Sequence, residues 1–115
     1  MSDFIDQPIE SLELENTTEQ TIVSAPAGGD VRRMRDITIL NHTEEHMHLE
    51  VALLDAALDP PRKTLFQGRI LREWHLPNPS SYILTEDQSI VAVLHTAPPA
   101  GTRVAVGSQY SDRTL

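Results

Sequence analysis

The sequence predicts an all-β protein: an antiparallel β-sandwich or jelly roll of seven or eight short strands with an extended N-terminal arm. Three observations carry this expectation. Short runs rich in apolar and β-branched residues alternate with polar intervals, turn signals recur roughly every 8–12 residues, and no stretch keeps helical periodicity beyond about one turn. A chain of 115 residues fits one domain with a modest core. It divides into an arm, 1–19, and a sandwich body, 20–115.

The arm is set apart by charge. The formal net charge is −8, and residues 1–19 contain Asp3, Asp6, Glu10, Glu13, Glu15 and Glu19 with no Lys or Arg, leaving only −2 for the rest. Its apolar residues, Phe4, Ile5, Ile9, Leu12 and Leu14, are too few to offset the entropy of ordering the segment alone. The alternation Ser11-Leu12-Glu13-Leu14-Glu15 suits an edge strand added to the body or to a neighbouring subunit.

In the body, Gln20–Ala25 reads as a strand and Pro26-Ala27-Gly28-Gly29-Asp30 as a turn. Val31–Asn41 follows as a long strand with a basic entry, Arg33 and Arg35 on one face and Arg32 on the other. Asp36–Asn41 and His46–Leu54, separated by a short polar interval, read as a β-hairpin. On its apolar face lie Ile37, Ile39, Met47, Leu49, Val51 and Leu53. Pro60-Pro61 enforces a loop after Asp55, and a helical turn at Leu53–Leu58 is the one helix candidate. Thr64–Gln67 and Arg69–Leu76 form a strand pair or one strand bent at Gly68, and Trp74, the sole tryptophan, is expected at the centre of the core. After the turn at Pro77–Ser80 come a short strand, Ser81–Thr85, and Ser89–Ala97, whose continuous apolar character predicts burial on both faces. Thr102–Tyr110 is the last strand, and Ser111–Leu115 a polar tail.

Composition excludes several functions. With no cysteine there are neither disulfides nor thiolate metal sites. The acidic balance argues against nucleic acid as a partner. No apolar run approaches the roughly 20 residues of a membrane span. Asp3 and Asp6 stand where a secretory leader would be basic, so a soluble protein with no cleaved leader is expected.

Candidate chemistry is sparse. His46 and His48, two apart on a strand, point the same way and are the best metal candidates, with His42, Glu44, Glu45 or Glu50 completing a cupin-like set. A cupin pattern would continue with glycines, yet none occurs between Gly29 and Gly68. Glu73 and His75 share a strand face and Asp36 is available to orient a histidine. No nucleophile elbow and no phosphate-cradling glycine loop accompanies them, so no enzyme and no cofactor is expected. The few aromatics argue against a carbohydrate-binding module.

The pattern from Thr21 to about Gln109, in the segments TIVSAPAGGDVRRMRDITILN, HLEVALLD, NPSSYILTEDQSIVAVLHTA and TRVAVGSQY, resembles the small β-sandwich virion proteins of tailed bacteriophages. That resemblance implies a non-enzymatic structural subunit, in the first place a capsid decoration or cement protein. A neck or tail accessory subunit is the alternative, and a cupin-like binding protein the rival from another class. It further implies a homo-oligomer, a trimer being one symmetry, docked on the major capsid protein or neighbouring virion proteins. Its location would be the virion, assembled in the host cytoplasm. The expected interface residues are Phe4, Ile5, Ile9, Leu12 and Leu14 of the arm, with Arg32, Arg33 and Arg35 as the seat that an acidic arm would use.

Overall fold

A computed structural model describes residues 3–114; Met1, Ser2 and Leu115, the last of which was expected in the polar tail, lie outside the described residues. Among the described residues ten strands form two antiparallel sheets: β1 (Ile5–Asp6), β2 (Glu10–Leu14), β3 (Gln20–Val23), β4 (Asp30–Asn41), β5 (Met47–Asp55), β6 (Arg62–Ile70), β7 (Glu73–His75), β8 (Ile83–Leu84), β9 (Gln88–Leu94) and β10 (Val104–Thr114). β1 and β2 lie end to end along β10, and β7 and β8 lie end to end along β4. The ten strands therefore fill eight positions, β1/β2–β10–β4–β7/β8 in one sheet and β3–β9–β5–β6 in the other.

This order identifies a jelly roll. The first position pairs with the last, the second with the seventh, the third with the sixth and the fourth with the fifth, as in a long antiparallel ribbon rolled into two sheets. The ribbon's tip is the hairpin β5–β6, with Met47 opposite Ile70 and Leu54 opposite Arg62. Asp55 stabilises that tip by accepting hydrogen bonds from Gln88 Nε2 (2.7 Å) and the amide of Ala57 (2.9 Å), which hold its carboxyl below the usual carboxylate range.

The expected hairpin across Asn41–Met47 does not exist. β4 pairs with β10, β7 and β8, whereas β5 pairs with β6 and β9, so the chain crosses from one sheet to the other between them. Alternation is the same for both arrangements, because either one puts Ile37 and Ile39 on the same apolar layer as Met47, Leu49 and Val51. The arch is built by side chains. Buried Asn41 donates through Nδ2 to the carbonyls of Glu45 (2.8 Å) and Ile70 (3.0 Å), and its Oδ1 accepts from the amide of Thr43 (2.9 Å). These bonds satisfy backbone groups that a hairpin ladder would otherwise have paired.

The core between the sheets is aliphatic, with Met34, Ile37, Ile39, Leu49, Val51, Ile90 and Val104 inaccessible. Trp74 is not at its centre. It sits half-buried on β7 opposite Ile39, with its ring 5.2 Å from that of Phe66 on β6, and closes the side where the two sheets part. Gly68 does not break β6; the strand runs through it to Ile70, and the chain changes sheet at 71–72. A Cβ at Gly68 would stand 3.2 Å from Phe66 Cζ, so glycine serves here to make room for that ring. β9 occupies mid-sheet between β3 and β5, and Ile90, Val91 and Ala92 are buried as the continuous apolar run predicts, but the strand ends at Leu94 and residues 95–97, expected within it, are exposed. Among the described residues the helical content is one 3₁₀ turn, Pro79–Ser81, and none at Leu53–Leu58. The expected polar tail is instead the end of β10, where Ser111 is fully buried.

Candidate assembly surface

β10 is flanked by the arm on one side and by β4 on the other, which brings acidic and basic residues onto one sheet. A register shift opposite Gln109 and Tyr110 makes Arg35 an extra residue in β4. Such a bulge re-aims the side chain, and Arg35 joins Arg33 on the outer face. Ser111 Oγ accepts from Arg35 Nε (2.8 Å) and donates to Asp6 Oδ1 (2.5 Å), and Arg35 Nη2 lies 3.5 Å from the same carboxylate oxygen. Two strand positions before Asp6, the Phe4 ring lies under the guanidinium of Arg33 (4.2 Å) and beside that of Arg113 (4.9 Å). Arg33 Nε is buried with no hydrogen-bond partner among the described residues.

Farther along the arm, Glu10 Oε1 accepts from the Tyr110 hydroxyl (2.5 Å) and Glu13 pairs with Arg103 (3.2 Å). Glu19, at the entry to β3, pairs with Arg62 (2.6 Å), whose other branch holds Glu50. Burial together with the bond to Glu10 pushes the Tyr110 phenol up to about 12, although the nearby charge of Arg32 works against this. Arg32, expected on the opposite face yet grouped with Arg33 and Arg35 as a seat for the arm, does lie on that other face and takes no part in holding Phe4 or Asp6. Its guanidinium grips Asp112 through two bonds (2.8 and 3.0 Å), donates to the Ser24 carbonyl (2.7 Å) and stacks on Tyr110 at 3.9 Å. Burial opposes its charge, but the bond to Asp112 and the surrounding acids outweigh it, and the guanidinium stays above its ordinary range.

Magnitudes divide the arm into two parts. Leu14 is 1% exposed and a member of the core, and burying a leucine is worth about 1.5–3 kcal/mol, so β2 is anchored. The segment before it has no such anchor. Ile5 and Ile9 are 66% and 69% exposed, and exposed ion pairs such as Arg35–Asp6 contribute only about 0–1 kcal/mol.

Beside the arm, the outer face of this sheet carries a shallow groove of about 330 Å³. Its floor is Ala105 and Gly107 of β10, and Ile9 and Leu40 provide apolar walls. Asp36 and Thr38 line it as well, and there the structure gathers the residues singled out for acid-base chemistry. His75 Nδ1 is 3.0 Å from Thr38 Oγ1, which in turn donates to Asp36 Oδ2 (2.5 Å), and His75 Nε2 is 3.3 Å from Glu73 Oε2. Thr38 was not foreseen; its neighbourhood with His75 follows from the β4–β7 register, which the sequence does not display. The side chains of His75, Asp36 and Glu73 are open to solvent, so the cluster makes a polar rim to the groove.

The histidines proposed for a metal are not brought together as a set. His46 is exposed and precedes β5, while His48 lies on the outer face of the second sheet with its ring centroid 4.3 Å from that of His95. The nitrogen Nε2 of His48 is buried without a hydrogen-bond partner among the described residues. Among the described residues no group of three or more His, Cys, Asp or Glu is placed to hold a metal ion, and no helix is long and apolar enough to cross a membrane.

No family model matches the chain, and no curated protein matches it. Among solved structures, the chain is similar to one from Bacillus endospore appendages, described as a novel family of disulfide-linked pili. The TM-score is 0.56 at 7% identity, covering 100% of this chain and 91% of that one. At such identity the likeness bears on the fold, and a sequence without cysteine cannot form disulfide links of its own.

Proposed function

We propose that the chain is a non-enzymatic structural subunit of a multi-copy shell or tube, and within that class a capsid decoration protein. It docks on a bacteriophage capsid lattice, with a neck or tail position in the same virion as the alternative. The observation that carries this reading is the outer face of the arm-bearing sheet, where Ile9, Leu40 and the groove between them form an apolar strip with Asp36 in its lining and His75 and Glu73 next to it. A partner surface that is apolar and rimmed by basic residues complements it in both respects. The jelly roll supports this only as a class, since capsids, lectins and cupins share the architecture and function resides in the surface.

Co-sedimentation with empty capsids of the virion to which this reading assigns the chain tests it. The intact protein is expected to pellet with the particles. Ile9→Asp with Leu40→Asp should abolish pelleting while leaving the far-ultraviolet circular dichroism unchanged. Failure of the intact protein to pellet, or full pelleting of the double variant, would contradict it.

A further inference from the structure

The seat that holds Phe4 and Asp6 has the character of a receptor for a short acidic peptide. Its recognition elements are spaced for an extended chain: a guanidinium over an aromatic ring at one position, and a hydroxyl and a second guanidinium on a carboxylate two residues later. Residues i and i+2 of a strand face the same way, so Phe-x-Asp presents both groups to one side. The ladder there is short. β1 contributes two residues, and beyond the bond from the Gln7 amide to the Tyr110 carbonyl (3.0 Å) the chain reaches Pro8, which has no donor to give. Each exposed cation–π contact contributes about 0.5–1 kcal/mol, whereas ordering one residue costs about 1–2 kcal/mol.

We propose that this seat exchanges its occupant between copies, so that residues 3–9 of one chain dock on Ser111, Arg33 and Arg35 of a neighbour while β2 stays on its own β10. The proposal rests on the subunit reading above and gives that reading a linkage between copies. Every contact made within one chain re-forms in trans, so exchange loses no contact and needs only proximity. With β2 held on its own strand, residues 7–9 bridge the gap, and from Glu10 to Asp6 the extended chain reaches about 14 Å, which requires a copy placed edge to edge. The occupant is a second copy because the arm carries both required groups, Phe4 and Asp6, and residues 1–19, with six acids and no Lys or Arg, hold −6 of the net −8.

The test keeps the seat native. A spin label attached to Asp3→Cys, the one cysteine in such a chain, is mixed with isotope-labelled wild-type chain, and paramagnetic broadening is read on the wild-type amides. Broadening is expected at Tyr110–Arg113 and at Arg33 and Arg35 and should be lost when the isotope-labelled chain carries Arg35→Glu. An independent trap mixes chains carrying Asp6→Cys with chains carrying Ser111→Cys, which are direct register partners. Oxidation should give the mixed disulfide at least about tenfold above a control pairing Asp6→Cys with Ala97→Cys, since docking raises the effective concentration. Copies that associate by sedimentation yet show neither broadening at the seat nor excess mixed disulfide would overturn the exchange and leave the subunit reading standing. Chains that stay monomeric would remove both.

Discussion

Replacing Asn41 should destabilise the protein more than any solvent-facing loop residue, because this one side chain holds the arch between the sheets. It makes three hydrogen bonds to backbone groups, two as donor and one as acceptor, at a buried position. At a net of about 1 kcal/mol each, Asn41→Ala should cost about 3 kcal/mol, and at roughly 4 °C per kcal/mol for a domain of this size the melting temperature should fall about 12 °C. Asn41→Asp separates hydrogen bonding from packing, since it keeps the volume but aims an acceptor at the carbonyls of Glu45 and Ile70. The neutral form of the new carboxyl is then favoured in the folded state. Its folded pKa lies above its unfolded one, and the penalty is largest at neutral pH and shrinks as pH falls through the carboxylate range. Urea denaturation of the wild type and both variants at pH 7 and pH 4 measures this. A loss below about 0.5 kcal/mol for Asn41→Ala, or no pH dependence for Asn41→Asp relative to wild type, would refute the account of the arch.

Two further perturbations follow from the same geometry. In an ultraviolet titration one of the two tyrosines should ionise near pH 12, and Glu10→Gln should bring it down. The proton is held more tightly in the fold, so this group's contribution to stability is complete below pH 10 and is lost between about 10 and 12. Gly68→Val should push the Phe66 ring off Trp74, costing about 1–3 kcal/mol and shifting the fluorescence of the sole tryptophan to the red; unchanged emission would mean that the ring has room to spare.

The fold class was legible because period-two alternation and evenly spaced turn residues are local signals. The wind of the jelly roll was not, since it is a matter of which distant strands pair. The misread hairpin shows the difference: Ile37, Ile39, Met47 and Leu49 alternate identically whether their strands lie side by side or face each other. What distinguishes the two is the side-chain bonding of Asn41 and Thr43, residue types that also populate ordinary turns. Trp74 was assigned to the centre on size alone, although a large ring is equally suited to sealing the open side of a sandwich against Phe66. In the arm, the alternation at Ser11–Glu15 was enough to foresee an edge strand. The bulge that turns Arg35 outward and the choice of Ser111 as its partner depend on the register with β10, a long-range fact. The same holds for His48, whose neighbour His95 comes from β5 and β9 lying side by side.

The central claim is that this chain functions in a multi-copy assembly through the arm-bearing face. Sedimentation velocity of the intact protein over a broad concentration range tests it most directly. The account predicts concentration-dependent association that Arg35→Glu weakens. A single monomeric species at every concentration, or association indifferent to Arg35→Glu, would contradict it.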